Sequence, residues 1–116
     1  MSNGDYRKLT VWHKAMELVV LIYKLTEDFP HREQYGLSSQ MRRAAVSIPS
    51  NIAEGRRRGS EKELAHYLSI SFGSGAELET QIEISERLSY GDPDTRKQSK
   101  LLTDEVMRML NALKTS

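Results

Sequence analysis

AVSIPSNIAEGRRRGS, Ala45 to Ser60, is the stretch whose reading decides the fold. A proline stands inside what otherwise reads as a helix, and two glycines bracket an arginine triplet. From Leu37 to Glu54, at about 100° per residue, Leu37, Met41, Ala44, Ala45, Ile48 and Ile52 gather on one side. Gln40, Arg43, Ser47, Asn51 and Glu54 form a separate polar stripe. Pro49 has no N–H, so the carbonyl of Ala45 loses its helical partner and a kink is expected there, with Ser47, Ser50 or water serving the freed oxygen. Gly55 reads as the residue that stops this helix, which places Arg56, Arg57 and Arg58 in the loop beyond it.

Downstream, Ser60 followed three residues later by Glu63 is a capping box, so a new helix starts there. Its face is Leu64, Tyr67, Leu68, Ser71, Gly75, Leu78 and Ile82, and Gly91 ends it just after Tyr90. Asp92 then caps a further helix whose first residue is Pro93. This helix runs to about Lys114 with the stripe Leu102, Val106, Met109 and Leu113. Upstream, Leu9 to Asp28 repeats Val11, Ala15, Leu18, Ile22 and Leu25 at heptad-like spacing, beside a second stripe of Trp12, Met16, Val19 and Tyr23. Pro30 and Gly36 punctuate the connection that follows. Amphipathic helices joined by short connections predict an all-α fold, an antiparallel up-down-up-down four-helix bundle, with residues 1–116 forming a single domain.

Composition narrows the chemistry. The hydrophobic share is 38% against 28% charged residues, which suits a folded domain. Cysteine is absent, which excludes a disulfide scaffold, a thiol nucleophile and a cysteine-ligated zinc site. The opening MSNGDYRKLTVWHK lacks the basic-then-apolar order of a secretory signal, which places the protein in the cytoplasm. The longest apolar run, Leu18 to Tyr23, falls far short of the ~20 residues of a membrane span. With a net charge of +1, attraction to nucleic acid must come from local patches.

No catalytic or cofactor site emerges. A di-iron bundle needs Glu-x-x-His pairs on two helices; Glu63 with His66 is one such spacing, and Glu63 belongs to the capping box. A metal site is therefore not expected. Gly73-Ser74-Gly75 has a phosphate-loop look but lies within a helix, where small residues point instead to close approach of a neighbouring helix. His66 and Ser69 share a helical spacing without an orienting third group, and no nucleophile elbow appears.

Two polar features remain. Arg42 and Arg43 precede Ser47 and Asn51 by one and two turns, and an Arg43–Glu77 or Arg42–Glu77 pair, with Asn51 and the serines, makes a plausible structural network within or between subunits. The plain alternative is that these stripes are simply solvated. Arg56, Arg57 and Arg58, which Lys62 could join, form a separate basic patch and the candidate nucleic-acid contact. No aromatic residue interleaves with them in the sequence, as base-stacking single-strand binders require.

The run LSSQMRRAAVSIPSNIAEGRRRGSEKELAHYLSISFGSGAELETQIEIS resembles the 23S rRNA intervening-sequence family of bacterial four-helix-bundle proteins, most specifically in RRAAVSIPSNIAEG, the following Ser-x-x-Glu cap and GSGAELETQ. The resemblance implies a ring-like homopentamer and a likeness to the accessory variability determinant of diversity-generating retroelements, a nucleic-acid-binding pentamer; it implies no catalytic residues. The function expected is therefore a non-enzymatic homo-oligomer acting as an adaptor for RNA or a nucleic-acid-processing protein, with the arginine triplet repeated around the ring axis. The alternative is a protein-interaction scaffold that docks through Trp12, Met16 and Tyr23 without touching nucleic acid.

Overall fold

The computed structural model describes residues 5–115; Met1–Gly4, the start of the segment read for a targeting signal, and Ser116 lie outside the described residues. Helix α1 spans Thr10–Glu27, α2 Leu37–Arg58, α3 Glu61–Arg87 and α4 Pro93–Thr115, and short 3₁₀ turns at Tyr6–Lys8 and His31–Glu33 lead into α1 and α2. No strand occurs among the described residues. Cross-helix contacts fix the directions. Arg42 on α2 reaches Thr26 on α1, and Ser47 on α2 reaches Ser74 on α3. Gly75 on α3 faces Met107 on α4, and Lys14 on α1 pairs with Glu105 on α4. Each helix therefore runs antiparallel to the next, α4 closes back on α1, and the most extensive contact is between α2 and α3.

One core runs through the bundle, with Leu18 and Ile22 from α1, Ile48 and Ile52 from α2, Leu78 from α3 and Leu110 from α4 all fully buried. The helix starts follow the caps read in the sequence. Ser60 Oγ accepts from the Glu63 amide at 3.1 Å, and Asp92 Oδ2 accepts from both the amide and the hydroxyl of Thr95 at 3.0 Å.

The Thr95 amide and then its hydroxyl hold the Asp92 carboxyl below its ordinary value of 3.8. A depressed native value stabilises the fold above the unfolded value and is lost as pH falls through it. The effect therefore operates below about pH 4. Asp92→Asn keeps a capping oxygen but removes the titration. Its melting temperature is expected to fall less than the parent's between pH 5 and pH 3; an identical drop in both would rule out this contribution.

Two local expectations need correction. Helix α2 does not stop at Gly55; it continues to Arg58 and ends at Gly59, whose φ of +85° suits glycine. Gly55 is buried inside the helix because α3 passes close by: a Cβ there would lie 2.7 Å from Tyr67 Cβ and 3.3 Å from Leu64 Cα. Next to Pro49, α3 also bonds to the α2 backbone: Ser71 Oγ donates to the Ile48 carbonyl at 2.9 Å, a different oxygen from the Ala45 carbonyl that the proline frees. On α4 Val106 is buried and Leu102 and Met109 pack half-buried against the core as expected, but Leu113 is exposed and the buried stripe is carried by Thr95, Ser99, Thr103, Val106, Met107 and Leu110. Ser99 and Thr103 are buried at little cost because each hydroxyl donates to the carbonyl four residues earlier, at 2.8 and 2.7 Å.

Candidate nucleic-acid interface

The arginine triplet is helical, so its side chains fan out around the last turn of α2 and meet different neighbours. Arg56 is half-buried, with its Nε enclosed and unpartnered, beside a cavity of about 290 Å³ lined by Gly59, Ser60 and Leu64. Arg57 is exposed and its guanidinium carbon lies over the Tyr6 ring, 5.5 Å from the centroid. Arg58 lies over Tyr67 at 5.3 Å and pairs with Glu54 at 2.9 Å. The hydrogen bond that Arg58 donates to the Glu54 carboxylate raises the Arg58 pKa above its ordinary value, so this side chain is a permanent cation. Lys62 is exposed in the first turn of α3, between Glu61 and Glu63.

Tyr6, Arg7 and Tyr67 join this patch only through the tertiary fold. The first 3₁₀ turn folds back over the end of the bundle, where Asp5 Oδ1 caps it by accepting from the Arg7 amide at 3.1 Å. His13 Nε2 donates to the Arg7 carbonyl at 2.6 Å. Arg7 thereby shares the Tyr6 ring with Arg57, at 4.8 Å, and Tyr6 packs against Trp12 with ring centroids 5.2 Å apart. Aromatic rings that do not interleave with the arginines in the sequence are thus brought to them by the fold. The available signal is periodicity: Tyr67 falls on the α3 face that meets α2.

The other polar cluster lies along the α2–α3 seam. Asn51 Nδ2 donates to the carbonyl and the hydroxyl of Ser47, at 2.8 and 2.9 Å. Ser47 Oγ lies 2.8 Å from Ser74 Oγ on α3. Arg43 and Glu77 line the same open polar groove with Gln40, yet no ion pair joins Arg42 or Arg43 to Glu77 among the described residues. Arg42 turns the other way: its Nε donates to Thr26 Oγ1 at 2.8 Å and its guanidinium lies over Tyr23 at 4.6 Å. The Thr26 hydroxyl, itself donating to the Ile22 carbonyl, offers a buried acceptor within reach of α2.

On the opposite side, α1 and α4 leave an apolar groove of about 490 Å³ containing Val20, Leu21, Leu101 and Leu102, flanked by Glu17 and Lys24. Val20 and Leu101 are 69% and 59% exposed, more than Met16 or Tyr23. The stripe Trp12, Met16, Tyr23 is not continuous, since Tyr6 and His13 pack on Trp12 and Arg42 covers Tyr23.

A smaller cavity, about 200 Å³, lies between α3 and α4. Glu79, Glu83, Lys100 and Asp104 line it, and burial, then the nearby Asp104, raises the Glu79 carboxyl above its ordinary value. Among the described residues no group of three or more His, Asp or Glu is placed to hold a metal ion, and no helix is long and apolar enough to cross a membrane.

Known proteins share this architecture. Residues 7–112 match the family model described as 23S rRNA-intervening sequence protein. A crystal structure from Bacteroides thetaiotaomicron, described as a protein with unknown function from the S23 ribosomal protein family, superposes with a TM-score of 0.80 at 23% identity, covering 91% of this chain and 96% of that one. At that identity the likeness concerns the fold. No curated protein matches the chain.

Proposed function

Because the chain belongs to the 23S rRNA-intervening sequence protein family, we propose that it is a non-enzymatic, cytoplasmic adaptor that associates with RNA through the arginine-bearing end of its bundle and works as a homo-oligomer. The observation that carries this reading is the convergence of Arg7 and Arg57 on one tyrosine, beside Arg56 and Arg58, which joins cations from separate segments into one patch. On a chain of net charge +1 such a patch matters most when copies stand side by side. The resemblance implies a pentameric ring. The exposed Val20–Leu101 groove is the surface we assign to contact between copies, since an apolar groove of this kind gains from being covered.

The same groove supports the rival reading, a protein-interaction scaffold without nucleic acid, which predicts an indifferent arginine patch. Filter binding of RNA across a salt series separates the two. The slope of log K against log salt steepens by about 0.7 to 0.9 for every phosphate that the protein neutralises. Combined Arg56→Ala, Arg57→Ala and Arg58→Ala substitution is expected to flatten that slope and weaken binding at low salt about tenfold or more. Equal binding by parent and variant would rule out the arginine end as the contact, and no binding by either would leave the scaffold reading. Light scattering tests the assembly independently: a monomeric mass would sink the ring.

A further inference from the structure

Arg57 and Arg58 differ from ordinary phosphate-binding cations in what lies beneath them. Each guanidinium sits over a tyrosine ring, Tyr6 for Arg57 and Tyr67 for Arg58. Both arginines are exposed and both tyrosines are half-buried, so each cation has a ring on its inner side and solvent on its outer side. Trp12 packs against Tyr6 at a tilt of 58°, and Arg7 also lies over the Tyr6 ring, 4.8 Å from its centroid. Arg58 is also paired with Glu54, which offsets part of what its charge could gain from a phosphate. Its planar face is untouched by that pairing.

We propose that this end of the bundle binds single-stranded RNA in preference to duplex, with unpaired bases stacking on the outer sides of Arg57 and Arg58. The inference rests on the RNA-associated reading above and narrows it. A guanidinium is planar and weakly hydrated, and it stacks on π-systems as an ammonium cannot. A ring behind it holds the side chain in place, so less rotamer freedom is lost when a base arrives. In a duplex both faces of every internal base are covered by its neighbours, and only phosphate contacts would remain. The bundle's short extents of 23 and 19 Å suit a few nucleotides of extended strand rather than a long helical groove.

The test separates plane from charge. An RNA of about 12 nucleotides, within the size range of single-strand sites, is labelled and titrated by fluorescence anisotropy, alone and annealed to its complement. The parent protein is compared with Arg57→Lys/Arg58→Lys, which keeps both charges and removes both planes. Circular dichroism checks the fold, which these exposed positions leave in place. The parent is expected to bind the single strand about tenfold more tightly than the duplex, and the lysine variant to lose about tenfold for the single strand and narrow the gap. Equal affinity for the two forms overturns the inference while leaving RNA association standing. So does a lysine variant that holds the single strand as the parent does. If neither form binds, the RNA-associated reading falls together with it.

Discussion

Gly55→Val is expected to destabilise the fold by about 3 kcal/mol and lower Tm by roughly 12 °C, whereas Gly73→Ala is expected to raise it. The two glycines sit in long helices and cost similar helix propensity, about 1 kcal/mol each. Their surroundings set opposite signs. At Gly55 an added Cβ would stand 2.7 Å from Tyr67 Cβ and 3.3 Å from Leu64 Cα, atoms fixed by the α3 backbone. Relief requires the helices to separate, which pulls apart the Ser47–Ser74 contact further along the same seam. Valine adds two methyl groups to that overlap. Gly73 is exposed and a Cβ there meets nothing within 4 Å, so alanine recovers propensity without a clash. Thermal melts followed at 222 nm measure both. If Gly55→Val melted with the parent, the close approach of α2 and α3 would not be a condition of the fold. Gly75 is intermediate: its Cβ would overlap the Met107 sulfur, the far end of a side chain that can move aside.

The contrast between these glycines also shows why some features are legible in the sequence and others are not. Ser60 and Asp92 announce their helices because a cap is a local hydrogen bond, visible within four residues. Heptad spacing locates the α1 core for the same reason: Val11, Ala15, Leu18, Ile22 and Leu25 are all buried. Gly55 misleads because its local signal, a glycine near an arginine triplet, says stop, while the reason for it lies on another helix. The α4 stripe shifts because Ser99 and Thr103 satisfy their hydroxyls within their own helix and so pack as small apolar groups, which a count of apolar residues misses. Gln81, whose neighbours Ile84 and Leu88 are exposed, is itself buried. The site is least legible. Thr26 and Tyr23, rather than Glu77, hold Arg42, and Tyr6 and Tyr67 meet the arginines only after four helices have packed.

Ile48→Ala is expected to cost about 3 to 4 kcal/mol, a large part of a domain's usual stability, and to do so for a reason that begins at Pro49. Proline inside a helix removes one hydrogen bond and crowds the preceding turn, at about 3 kcal/mol. Yet α2 runs unbroken from Leu37 to Arg58 with Pro49 buried. Packing must offset what the backbone lacks there, and Ile48, next to the proline, has a fully buried side chain. Truncating Ile48 leaves a cavity beside the proline. Val46→Ala, two residues earlier and 39% exposed, is expected to change stability by no more than about 0.5 kcal/mol. Urea unfolding reads both, and equal midpoints for the two variants would show that packing beside the proline is not what holds α2 continuous. The arginines ride on the last turn of the same helix, well beyond Pro49. Below its melting range Ile48→Ala should therefore bind RNA with the parent's affinity, so a loss of binding in the folded variant would mean that packing beside Pro49 sets the position of the arginines as well as the stability of the bundle.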